Sequence, residues 1–237
     1  MLAPSAAGRP PFGIEDFLAH LPLFREIDRS ALRQIARGSA AIDAPRGTVL
    51  FRRGDRCAGF HVVIFGQVKL SIYSPDGGEK VVEVMGPGQS FGEAVMFLDK
   101  PYAVTAETLA DTKLVHVSSA AVDAELQRDS AFARRIIASL SRRLHRLVAD
   151  LEAATLQSAT QRVIGYLLSQ EGAGGEGAAL VTLHASKRVI ASRLNLSQEH
   201  FSRILHSLAA AGLIEVEGRE VRILDAARLR ACGPRFS

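Results

Sequence analysis

The sequence predicts an α+β chain in three parts: an N-terminal all-β barrel or sandwich, a long helix and a C-terminal winged helix-turn-helix. Three observations predict it. Short β-prone runs separated by glycines fill 44–117, an apolar repeat of helical period runs from Phe132 to Ala154, and two short helices with a following hairpin occupy 186–224. At about 100–200 residues per domain, 237 residues suit one large domain or two modest ones. The parts are drawn at 14–125 for the β domain, 126–155 for the helix and 156–237 for the C-terminal module.

Residues 1–13 carry no periodic signal and read as disordered. Over 14–38, Phe17, Leu18, Leu21, Leu23, Phe24, Ile27, Leu32 and Ile35 recur at three- and four-residue spacing, the signature of helix. From about Ala44 the pattern shortens. Thr48–Phe51, His61–Phe65, Val68–Tyr73, Val81–Met85, Ala103–Leu109 and Thr112–Val117 are β-prone, and Gly54, Gly66, Gly77 and Gly88 mark turns between them. Such spacing indicates an all-β barrel or sandwich.

After Ser118 the period changes. Phe132, Ile136, Leu140, Leu144, Leu147, Leu151 and Ala154 form one apolar seam. Such a seam can pack on its own barrel or on the same helix of a second chain. A helix of roughly 25 residues is about 37 Å long, more than one small barrel covers, so a homodimer through Ile136, Leu140, Leu144, Leu147 and Leu151 is expected. A further amphipathic helix spans 157–170, and Gly172–Gly177 reads as a flexible loop.

Composition narrows the function. Lys and Arg total 29 against 25 Asp and Glu, a formal charge of +4, which permits an anionic partner without proving one. No apolar run approaches the roughly 18 residues of a membrane span, and nothing at the N-terminus reads as a secretory signal. A soluble, cytoplasmic protein is expected. The two cysteines, Cys57 and Cys232, cannot build a four-cysteine zinc or iron–sulfur site in one chain. No P-loop, Gly-x-Ser-x-Gly, metal-ligand spacing or triad is present, so no enzyme is expected.

The C-terminal module carries the chemistry. Ser186 is placed to cap a helix from Lys187, Asn195 tolerates the left-handed backbone of a tight turn, and Ser197 caps a second helix from Gln198 to Ala210. Leu213–Val216, the turn Glu217–Arg219 and Glu220–Leu224 form the wing. Helical spacing puts Gln198, Glu199, Ser202 and Arg203 on the outward face. Arg donates twice to guanine, Glu accepts from cytosine N4, and Glu199 can orient the Arg203 fork. Lys187 and Arg188 are placed to hold phosphates. Four cations and one carboxylate between 187 and 203 give a local charge of +3. Double-stranded DNA is the expected partner. The competing class is a ligand-binding regulatory subunit of an enzyme without DNA contact.

The glycine-punctuated roll, Phe91-Gly92-Glu93 within it, the long helix and the run Leu196–Arg203 together resemble the CRP/FNR superfamily of bacterial transcription regulators over about 14–230. The resemblance implies a cyclic-nucleotide-binding-like jelly roll as sensor, RNA polymerase as protein partner of an activator, and FNR-like inverted repeats with TTGAT-type half-sites, since Glu199, Ser202 and Arg203 match the FNR pattern Glu-x-x-Ser-Arg. Members that bind cyclic nucleotides follow Gly-Glu with an Arg-Ser pair for the phosphate. Here Asp99-Lys100-Pro101-Tyr102 stands in that region, so cyclic AMP is not the expected effector. The segments 91–101 and 141–145 are similar to the Dnr subgroup, which implies nitric-oxide sensing in denitrification through non-covalent haem b. Its implied pocket uses Gly92, Glu93, Met96, Phe97 and Tyr102, with His61 and His145 as candidate iron ligands among seven histidines. A cyclic-nucleotide- or redox-responsive regulator is the alternative.

Overall fold

In the computed structural model, residues 13–170 are described apart from 22, 25 and 26, followed by 179–232. The N-terminal stretch 1–12 and the glycine-rich stretch 172–177 lie outside them, as does the side chain of Cys232. The chain divides into two compact units: residues up to Leu70 with Val84–Arg142, and Ser71–Glu83 with Arg143–Ser237.

In the first unit the expected helical segment is two short helices, α1 (Ile14–Ala19) and α2 (Arg29–Arg37). Asp28 starts α2 afresh by accepting from the Ser30 amide at 3.0 Å. The roll contains β1 (Ser39–Ala44), β2 (Val49–Phe51), β3 (Gly59–Phe65), β4 (Val68–Tyr73), β5 (Glu79–Met85), β6 (Ser90–Phe91), β7 (Thr105–Thr108) and β8 (Thr112–Ser118). A five-residue helix, α3 (Glu93–Phe97), sits between β6 and β7. The strands form two four-stranded sheets, ordered β1-β8-β3-β6 and β2-β7-β4-β5.

Side chains alternate across a strand, and β3 uses both faces. Phe60 and Val62 join Leu18, Phe24, Ile35 and Phe132 in a core under the helices. Val63 joins Phe51, Phe91, Tyr102 and Leu114 in a second core. A strand buried on both faces reads as an unbroken apolar run, which is why 59–64 shows little polar alternation. Gly59 is required where β3 meets β8, since a Cβ there would lie 2.1 Å from the Val117 carbonyl oxygen.

The roll is followed by α4 (Ser119–Arg128) and α5 (Ser130–Leu156), 27 residues long. The expected seam of α5 is not one face. Ile136 is 6% exposed within the core of its own domain, and Leu140 packs half-buried against the same core. Ile136 therefore cannot serve a partner chain, because covering the roll already uses it. The exposed apolar row is Ile137, Leu144, Leu147, Val148 and Leu151. Leu144, Leu147 and Leu151 of the expected seam are exposed, and Ile137 and Val148 are exposed beside them.

Besides Ser71–Glu83 of the β4–β5 hairpin and the end of α5 from Arg143, the second unit contains α6 (Ala159–Ser169), β9 (Ala179–Thr182), α7 (Lys187–Arg193), α8 (Gln198–Ala210), β10 (Ile214–Glu217), β11 (Glu220–Ile223) and α9 (Ala226–Cys232). Ser158 opens α6 with a capping box to Gln161. The wing is a three-stranded sheet, β10-β11-β9, rather than a lone hairpin. Among the described residues, no helix is long and apolar enough to cross a membrane.

Candidate nucleic-acid interface

The helix-turn-helix forms for local reasons. The Ser186 side chain accepts from the Val189 amide at 3.3 Å, and Ser197 accepts from the His200 amide at 3.1 Å, so both helices begin on a serine cap. Between them Asn195 adopts φ 58°, the left-handed conformation anticipated from its residue type. The turn is closed by Leu196 N–H donating to the Ala191 carbonyl at 2.9 Å. Ala191 is buried and small, which permits the close crossing. Arg162 of α6 braces the same turn, its Nε donating to the Leu194 carbonyl at 2.9 Å and its guanidinium to the Gln157 carbonyl at 2.7 Å.

Phe201, Ile204, Leu205 and Leu208 are buried on the inner face of α8. With about 100° between successive residues, the opposite face must point outward. Gln198, Glu199 and Arg203 are exposed, and Ser202 is half-buried. Arg188 is exposed and Lys187 half-exposed at the start of α7. The Glu199 carboxyl is held below the usual carboxylate range by its own backbone amide, the Ser197 hydroxyl and the Arg203 charge. It is therefore an anion beside a guanidinium at a helix N-terminus, an acceptor and a forked donor on one projecting edge.

The sensor residues are less convergent. Gly92 caps α3 with φ 102°, and a Cβ there would meet the Gly59 carbonyl at 3.4 Å and the Tyr102 ring at 3.5 Å. Glu93 is buried. Tyr102 stacks on Phe51 at 3.5 Å and donates to the Gly59 carbonyl at 3.2 Å, its burial raising the phenol pKa. The Cys57 thiol lies 3.2 Å from the same carbonyl. Gly92 and Tyr102 thus meet around Gly59. Met96 instead packs against the helical core, and Phe97 is 37% exposed. The five expected pocket residues do not share one wall: when Met96 faces inward on so short a helix, Phe97 is rotated to solvent.

Strand register places the first of the two candidate iron ligands. His61 lies opposite His116 on β8 and Phe91 on β6. Its ring stacks on Phe91 at 5.2 Å, with His116 at 4.9 Å. Its Nδ1 is buried without a hydrogen-bond partner. Burial, with a lesser contribution from His116, lowers its pKa to about 3, so it is a neutral imidazole. His145 is exposed on the part of α5 that belongs to the second unit. Among the described residues no group of three or more His, Cys, Asp or Glu is arranged to hold a metal ion.

Sequence reasoning did not find β1, β6, α3, α4, β9 and α9, nor the role of Arg162 at the turn. Arg162 acts on a carbonyl 32 positions away in sequence, which no local pattern signals.

Residues 42–129 match the cyclic nucleotide-binding domain, and residues 161–232 match the Crp-like helix-turn-helix domain. DNR from Pseudomonas aeruginosa is 34% identical, with 92% of this chain and 96% of DNR covered and a TM-score of 0.50. The chain belongs to the CRP/FNR family of transcription regulators. A candidate cyclic nucleotide binding protein of Ruegeria pomeroyi is 33% identical, with 94% of this chain and 97% of that one covered and a TM-score of 0.63. The CRP-like cAMP-activated global transcriptional regulator of Mycobacterium tuberculosis is 27% identical, covering 91% of this chain and 98% of its own. A CRP/FNR regulator binds DNA through its helix-turn-helix and carries an effector-binding roll, and it is not an enzyme.

Proposed function

We propose that this regulator acts in the cytoplasm as a homodimer that reads an inverted repeat of TTGAT-type half-sites. The observation that carries this reading is the projecting edge of α8, with Glu199, Ser202 and Arg203 on a serine-capped helix N-terminus. Arg203 donates to a guanine, Glu199 orients it or accepts from a cytosine, and Ser202 is short enough to admit the groove floor. Gln198 and Ser197 border this edge, and Lys187 and Arg188 hold phosphates. The exposed row Ile137, Leu144, Leu147, Val148 and Leu151 pairs two chains. Effector in the roll shifts the population toward a state with the reading helices about 34 Å apart, one turn of DNA. RNA polymerase is the partner when the site lies in a promoter.

The effector we favour is nitric oxide acting on haem b. A buried, neutral imidazole with a free nitrogen is the form of histidine that ligates iron, and His61 fits it. Haem supplies an iron coordination position for a diatomic ligand, and His61 is the residue that would hold it. Cyclic AMP is the second reading, favoured by Gly92 and the buried Glu93 within the matched nucleotide-binding domain. Against it, Lys100 is exposed where an Arg-Ser pair holds the phosphate in nucleotide-binding members.

The test is a fluorescence titration of the inverted repeat against a scrambled duplex. Arg203→Ala should cost about 1–3 kcal/mol on the repeat, roughly 5- to 150-fold, and relax preference at one base position. Equal binding by variant and parent refutes the assigned contact. An anaerobic absorption spectrum of haem-mixed protein, with no Soret shift on adding nitric oxide, refutes the effector.

A further inference from the structure

Strand β5 makes contacts that neither the reading helix nor the roll requires. Within the second unit, the Ser192 hydroxyl accepts from the Val81 amide at 2.9 Å and donates to the Glu79 carbonyl at 3.3 Å. Lys80 Nζ donates to the carbonyls of Ser192 at 2.5 Å and Arg193 at 3.0 Å. These are the last carbonyls of α7, where the helix dipole and unpaired oxygens favour a cation. The hairpin is also braced internally, since the Glu79 carboxylate accepts from Ser71 at 2.9 Å and Tyr73 at 3.1 Å. Side chains alternate along a strand, so Glu83 leaves β5 on the face opposite Lys80. It meets Arg143 of α5 at 2.8 Å. One strand is therefore tied to the long helix on one face and to the helix-turn-helix on the other.

This clasp stands beside the reading edge. Glu79 and Lys80 line one open cleft of about 520 Å³ together with Arg188, Ser197, Gln198 and Glu199. A major groove is about 12 Å wide and 8.5 Å deep between phosphate walls. Seating the start of α8 in it would bring a phosphate wall into this cleft, which Glu79 and Lys80 of the hairpin border. We propose that the β4–β5 hairpin is an autoinhibitory strap: clasped on Ser192, it keeps duplex DNA from the N-terminal end of α8 until it is released. The strap rests on the assignment of α8 as the reading helix. The Arg143–Glu83 pair gives α5 a hold on the strap, so a shift of that helix loosens the clasp.

The test uses the full chain without added effector and a labelled inverted-repeat duplex, read by anisotropy. Ser192→Ala and Lys80→Met each remove hydrogen bonds from the clasp and should tighten DNA binding about tenfold. Ser192→Thr, which keeps the hydroxyl, should bind as the parent does. Hydrogen exchange supplies a readout independent of affinity: the Val81 amide should be protected in the parent, exposed in Ser192→Ala, and exposed in the parent when DNA is added. Unchanged or weaker binding by both Ser192→Ala and Lys80→Met, with Arg203→Ala defective, overturns the strap and keeps the reading helix. Tighter binding by both with Arg203→Ala equal to the parent supports the strap and overturns the base contact. Slower Val81 exchange on adding DNA overturns the strap outright.

Discussion

Leu144 is the sharpest test of the homodimer. It is 63% exposed on α5, in a row with Ile137, Val148 and Leu151, so one chain alone leaves it in water. That exposure leaves about 110 Å² for a partner to cover, worth about 2.8 kcal/mol at ~25 cal/mol per Å². Truncation to alanine removes most of it, about 1.5–2 kcal/mol per chain. Two-fold symmetry counts every substitution twice, so Leu144→Ala should weaken dimerisation by about 3–4 kcal/mol, two to three powers of ten. Sedimentation velocity across a concentration series reads this directly. Circular dichroism should stay unchanged, because the side chain contributes little to its own domain. A parent that stays monomeric at tens of micromolar, or a variant with the parent's dimer constant, refutes the assigned face.

Two further outcomes follow from the roll. His61 has a folded pKa of about 3, below the ordinary value of 6.5, so the unfolded chain binds more protons between those values. Its contribution to stability is complete above pH 6.5 and is lost as pH falls toward 3. At ~1.4 kcal/mol per pH unit, the parent should lose about 2–3 kcal/mol more than His61→Phe between pH 6.5 and 4.5, measured from urea midpoints. Parallel pH curves would show that the imidazole is already charged or hydrated in the folded state. Gly59→Ala drives a methyl group to 2.1 Å from the Val117 carbonyl. It should cost about 2–3 kcal/mol through overpacking of the β3–β8 ladder, and an unchanged unfolding midpoint would contradict that close approach.

Local chemistry made the C-terminal module legible. Ser186, Asn195 and Ser197 each announce a cap or a left-handed turn by residue type, and all three do in the structure what that type favours. The roll was legible as a class because glycines separate its strands, yet β1 escaped. Ser39–Ala44 holds three alanines and an aspartate beside one isoleucine, and it becomes a strand only by pairing with β8. The α5 seam misled in its upstream portion for a related reason. Periodicity locates an apolar stripe but not what covers it, and the helical core takes Phe132 and Ile136 before any second chain can. The haem pocket set was the least legible part. Met96 and Phe97 are adjacent in sequence, and only packing decides which of the two turns inward. The clasp on Ser192 joins residues more than 100 positions apart, beyond any local pattern.

The sheet order β10-β11-β9 has a consequence for how such proteins change their targets. Ala179, where β9 begins, is registered against Ile223, where β11 ends, so the stretch bearing both helices of the DNA-binding motif enters and leaves at neighbouring points. A cassette with adjacent ends can be exchanged for another of different base preference at two nearby joints. Signal reception can in this way be inherited intact while the address it controls is rewritten.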